Sequence, residues 1–86
     1  MHNIHKVDSY NHQLEEIRTK FPILDIAISE LEPTLRRDPR IYPAVIGKEI
    51  YRIMVNSPDM PSISIFFRYD ETTVYLLRAE QLEAED

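Results

Sequence analysis

Cysteine is absent from the chain, so it can hold neither a disulfide framework nor a thiolate metal site, and its stability must come from packing or from a partner. A reducing compartment is compatible with that absence. Glycine occurs once, at Gly47, which removes glycine-rich phosphate loops and dinucleotide-binding turns from consideration. No apolar run approaches the roughly 18 residues of a membrane span, and "MHNIHKVDSY" has no apolar segment of the kind a secretory leader needs. The chain therefore reads as soluble and cytoplasmic, with no membrane contact. Cations are also scarce. Ten Lys and Arg stand against fifteen Asp and Glu, giving a formal charge of -5, which is not the balance of a general nucleic-acid binder. Any basic site has to be local.

What is present fits one small domain, residues 1–86, with an acidic tail over 80–86. "NIHKV" (3–7) reads as a short edge strand. From Asp8 and Ser9, both suited to capping, Tyr10, Leu14, Ile17 and Phe21 follow at helical spacing. Pro22 suits the first turn of a second helix, in which Ile23, Ala27, Leu31 and Leu35 form a stripe widened by Leu24 and Ile28. The two helices are expected to pair as a hairpin joined near "KFP". Pro33 should kink or break the second one, because a proline inside a helix costs about 3 kcal/mol.

"DPRIYPAVIG" (38–47) reads as an irregular connector, after which the apolar period falls to two. Ile50, Arg52 and Met54 alternate with Tyr51, Ile53 and Val55. Ser62, Ser64, Phe66 and Arg68 alternate with Ile63, Ile65, Phe67 and Tyr69. Strict alternation in "TTVYLLRA" groups Val74, Leu76 and Arg78 against Thr73, Tyr75, Leu77 and Ala79. "NSPDMPS" reads as a loop and "DET" (70–72) as a tight turn, so adjacent strands should be antiparallel. The expected fold is α+β: an N-terminal helical hairpin packed on a small antiparallel sheet of three to four strands.

The element order, with Pro39 or Pro43, Gly47, Tyr51-Arg52 and the hairpin "SIFFRYDETTVYLL" with its Asp70, resembles the RelE/ParE toxins of bacterial type II toxin-antitoxin systems. The resemblance implies a RelE/ParE-like fold, neutralisation by an antitoxin protein, and action on ribosome-bound mRNA or on DNA gyrase. It implies no cofactor and no metal. In the members that cleave mRNA, several cations converge on one sheet face to hold the scissile phosphate and stabilise charge. Arg52 stands where the first is expected. Met54, the start "PSISIFF" and the acidic "EQLEAED" stand where others would be, so enzymatic activity through the family's usual residues is not implied. Arg68 and Arg78 are the residues that could take over, which makes Arg52, Arg68 and Arg78 the candidate catalytic set.

A second basic group comes from charge alone. Residues 36–52 hold five cations, Arg36, Arg37, Arg40, Lys48 and Arg52, against Asp38 and Glu49. Arg36, Arg37, Arg40 and Lys48 are therefore candidate contacts for nucleic acid or a partner, although arginines also collect at helix C-termini for dipole reasons. The commonplace reading of Arg52 is a solvent-facing strand residue whose stem covers Ile50 and Met54. His2, His5 and His12 have no metal-site spacing and read as surface residues. The five tyrosines read as core or core-edge residues rather than base-stacking platforms. The alternative function is a catalytically silent RelE-like interaction module that binds a protein partner through its sheet edge or acidic tail.

Overall fold

The structure is a computed structural model that describes residues 1–42, 44–46 and 49–82, with the side chains of residues 44–46 outside that description. Gly47, Lys48, Pro43 and residues 83–86, most of the acidic tail, lie outside the described residues. Strand β1 (Asn3–Lys6) leads into helix α1 (Asp8–Lys20) and helix α2 (Leu24–Arg37). A single 3-10 turn, Pro39–Ile41, then precedes strands β2 (Ala44–Ile46), β3 (Ile50–Ser57), β4 (Met60–Tyr69) and β5 (Thr73–Gln81). The arrangement is α+β, with both helices on a small sheet. Strands β2 to β5 form the expected antiparallel meander, and β1 joins β5 in parallel to give the order β1-β5-β4-β3-β2.

One face of this sheet is buried against the helices. Tyr10, Leu14 and Ile17 of α1, with Leu24, Ile28 and Leu35 of α2, meet Ile53, Val55, Ile63, Ile65, Phe67, Val74, Leu76 and Ala79. The helical stripes and the alternating strand residues thus fill one core, each element supplying the face that its period sets aside. Both β-rich runs are longer than the turn composition suggests. β3 extends to Ser57 and β4 begins at Met60, which leaves only Pro58 and Asp59 between them where the sequence reads a longer loop. The connector over 38–47 likewise contains the 3-10 turn and β2. β2 is a three-residue edge strand, too short to give a periodic signal.

Two local expectations are corrected. Asp8 and Ser9 do not cap α1: Val7 holds the N-cap position without a side-chain bond, and Ser9 Oγ instead donates to the Leu77 carbonyl at 2.8 Å. Of the kink or break expected at Pro33, the break does not occur, and α2 runs through to Arg37. Pro33 forfeits only the bond to the Ser29 carbonyl, and both residues are exposed, so water can reach the group left over.

Tyr10 is fully buried, and its hydroxyl has no hydrogen-bond partner among the described residues. Burial, and then the nearby Glu32 carboxylate, push its phenol well above the ordinary tyrosine range. Glu32 is held by Lys6, whose Nζ lies 2.6 Å from Oε1 and ties β1 to α2. At the other end of the sheet the β4–β5 turn is built on Asp70. Its Oδ1 accepts from the backbone N–H groups of Thr72 (2.9 Å) and Thr73 (2.8 Å), and Tyr75 Oη donates to Oδ2 at 3.3 Å. Those backbone donors hold the Asp70 carboxyl below the usual carboxylate range.

Two outcomes follow from these groups. Tyr10→Phe removes a buried hydroxyl that is desolvated without compensation, so chemical denaturation should show unchanged stability or a gain of up to about 1 kcal/mol; a loss of that size would mean the hydroxyl is bonded. Because the folded-state pKa of Asp70 is depressed, its contribution is present above the unfolded value near 3.9 and is lost as pH falls through the folded value. The melting-temperature gap between wild type and Asp70→Asn should therefore be open at neutral pH and close below about pH 4. A gap that persists to the acid end would contradict the assignment.

Candidate functional site

The sheet face turned away from the helices carries the three candidate arginines together. Arg52 on β3 is opposite Phe66 on β4, and Phe66 is opposite Arg78 on β5, so the three form one cross-strand row. With strands about 4.8 Å apart, Arg52 and Arg78 are separated by roughly 10 Å at the backbone, comparable to a Debye length at 0.1 M salt. Arg68 is two residues along β4 from Phe66 on the same face, directly opposite Tyr75. All three arginines are exposed.

Strict alternation groups Arg78 with Val74 and Leu76, and the structure separates them: Val74 and Leu76 are buried while Arg78 is exposed. The β4–β5 register shifts between Phe66 and Phe67: Phe67 pairs with Leu76 while Phe66 pairs with Arg78, leaving Leu77 as an extra residue. This bulge changes the parity of β5. Beyond it, Ala79 turns to the core and Arg78 to the open face. The sequence hides the change because Leu76 and Leu77 are equally apolar, and either could have been the buried one. Ile50 and Phe66, which alternation groups with Arg52 and Arg68, belong to the site as well, and so does Leu77, which alternation separates from Arg78.

The guanidiniums are arranged differently. The Arg78 guanidinium carbon lies 4.5 Å from the Phe66 ring centroid, and that of Arg68 lies 4.6 Å from the Tyr75 centroid. Tyr75 is thus on the open face and not in the core, unlike Tyr10, Tyr42, Tyr51 and Tyr69. Arg78 also pairs with Glu80 at 3.3 Å. Glu80 and Gln81, the first residues of the acidic tail, belong to β5. Arg52, between Ile50 and Met54 on its strand, makes no ion pair among the described residues. Among the described residues, three guanidiniums stand against two carboxylates, Glu80 beside Arg78 and Asp70 at the Tyr75 hydroxyl, so the face is locally cationic in a chain that is acidic as a whole. The next row along holds no cation: Met54 faces Ser64, whose Oγ lies 3.2 Å from the Met54 Sδ.

The second basic group does not join the first. Arg36 and Arg37 occupy the last turn of α2, where they oppose the negative end of the helix dipole. Arg40 is held by Asp38, with Nε 2.9 Å from Oδ1 and Nη2 3.4 Å from Oδ2. That fork keeps the Asp38 carboxyl low. Arg37 and Arg40 line a depression of about 480 Å³ with His2, Asp38, Tyr69, Asp70 and Glu71. It is the larger cavity, yet its two cations face three carboxylates, so it has no net attraction for an anion. His2 is half-buried, edge-on to Tyr69, with Nε2 3.0 Å from the Asp70 carbonyl oxygen, and is not the surface residue the sequence suggests. Tyr69 itself sits against Tyr51, with ring centroids 4.9 Å apart, and the neighbouring Tyr51 phenol pushes its pKa up. These rings seal the end of the core. Lys48, the fourth member of the group, lies outside the described residues.

Among the described residues, no helix is long and apolar enough to cross a membrane, and no cluster of three His, Asp or Glu side chains could hold a metal ion. Comparison with protein-family models, with curated proteins and with solved structures finds no match for the chain.

Proposed function

We propose that this chain is a RelE/ParE-like toxin of a bacterial type II toxin-antitoxin system, working in the cytoplasm, and that its open sheet face engages ribosome-bound mRNA. An antitoxin protein would neutralise it by covering that face. The observation that carries this reading is the placement of Arg52, Arg68 and Arg78 together on the sheet face turned away from the helices. The element order of the chain, a short strand, two helices and an antiparallel meander, supports it further.

Guanidiniums stay protonated throughout the physiological range, so these residues would neutralise a phosphate and stabilise charge that develops on it. They would not abstract a proton. Gyrase is the less supported target, because a row of arginines is suited to a phosphate backbone.

A second reading, a catalytically silent RelE-like interaction module, is favoured by one specific feature. Met54 and Ser64 occupy the row beside Arg52 and Phe66, where a second pair of cations would strengthen a cleaving site. The two readings differ in what the protein does alone.

Induction of the protein by itself in a bacterium should arrest growth and block translation, with new mRNA 5′ ends mapped by primer extension at ribosome-bound positions. The combined Arg52→Ala, Arg68→Ala and Arg78→Ala variant should reduce the rate of cleavage at least tenfold while remaining folded. Growth unaffected by soluble, folded wild-type protein would remove the toxin reading and leave the silent module. Growth arrest through DNA damage, with intact mRNA, would move the target to gyrase.

A further inference from the structure

The two guanidinium–aromatic contacts are directly opposed pairs of neighbouring strands. Phe66 on β4 faces Arg78 on β5, and Arg68 on β4 faces Tyr75 on β5, so the order of cation and ring reverses between them. Two residues of β4 separate the pairs, about 7 Å along the strand. Both arginines are exposed, so each guanidinium has a ring beneath it and solvent above. Beside the first pair the face dips into a depression of about 280 Å³ lined by Ile50, Phe66, Leu77 and Arg78. Leu77 reaches that depression because it is the residue left over by the bulge.

A ligand that satisfies all of these features needs planar, apolar-faced groups and negative charge within about 10 Å of them, the separation of Arg52 from Arg78 across two strand spacings. Single-stranded nucleic acid has both. Unpaired bases stack on aromatic rings and on guanidinium planes, and sheet faces elsewhere are used in this way. An acidic peptide matches the charge, but carboxylates bind the N–H edge of a guanidinium and gain nothing from its plane. A duplex presents phosphates but hides its base faces.

We infer that the open face binds single-stranded RNA, with one base stacked on the Arg78–Phe66 pair at the edge of the Ile50–Leu77 depression, a second on the Arg68–Tyr75 pair, and the backbone held by Arg52. This rests on the reading that the face engages RNA, and it adds that recognition is of unpaired bases and not of phosphate alone. The stacking residues Phe66 and Tyr75 then set preference for single strands, while Arg52 sets general affinity for polyanions.

The test is fluorescence anisotropy of the full chain with a labelled single-stranded oligoribonucleotide, the same strand annealed to its complement, inorganic polyphosphate and polyglutamate. The single strand should bind at least tenfold more tightly than the duplex. Phe66→Leu and Tyr75→Leu, each checked for folding by circular dichroism, should weaken single-strand binding about tenfold and leave polyphosphate binding unchanged. Arg52→Ala should weaken both. Equal binding of duplex and single strand, or no selective effect of either leucine variant, would overturn the stacking assignment and leave the RNA reading intact. Tighter binding of polyglutamate would overturn it in favour of an acidic protein partner. Failure to bind any of the four would remove both.

Discussion

The pairing of β4 with β5 across the Leu77 bulge is the constraint on which both faces of this protein depend. Before the bulge, Val74 and Leu76 point to the helices; after it, Ala79 and Gln81 do. Without the change of parity the Arg78 guanidinium would face α1 in an apolar core, and a buried charge without a partner costs several kcal/mol. The same shift places a small residue, Ala79, where α1 comes close. There the Gln13 Oε1 accepts the Ala79 N–H at 2.9 Å and Ser9 donates to the Leu77 carbonyl, so α1 takes up strand-edge groups that β1, ending at Lys6, no longer pairs.

This division explains why the molecule can be acidic overall and still have a cationic face. Most of its ion pairs serve the helical side and the sheet end: Lys6 with Glu32, Arg18 with Glu15 and Asp25, Arg40 with Asp38. Exposed pairs of this kind contribute little to stability, typically under about 1 kcal/mol each, but they do use up their cations. Arg52 and Arg68 are left without carboxylate partners among the described residues, and Arg78 has only Glu80. The larger cavity, at the end of the sheet, is thereby less suited to an anion than the smaller one on the open face.

Much of the fold was legible in the sequence. The stripes from Tyr10 to Ile17 and from Leu24 to Leu35, and the alternation in β3 and β4, follow directly from helical and strand periods. Three things were not. β2 is too short to show a period. The parallel pairing of β1 with β5 is a long-range choice that no local pattern encodes. The bulge leaves no mark where two leucines adjoin. The last of these bears most on the candidate site, because alternation alone groups Arg78 with Val74 and Leu76, and only the bulge brings it to the face that Arg52 and Arg68 share. Tyr75 was misread for a related reason: strand propensity says that tyrosine belongs in a sheet, not which face it takes.

On this reading the open face, and no other surface, meets the ligand. Chemical-shift mapping of ¹⁵N-labelled protein during titration with a single-stranded oligoribonucleotide tests it most directly. Shifts are expected in the Arg52, Arg68 and Arg78 side-chain Nε–H signals and in the backbone of β3, β4 and β5 around Phe66. Shifts concentrated instead at Arg37, Arg40 and the Asp70 turn, or along the exposed sides of α1 and α2, would contradict it.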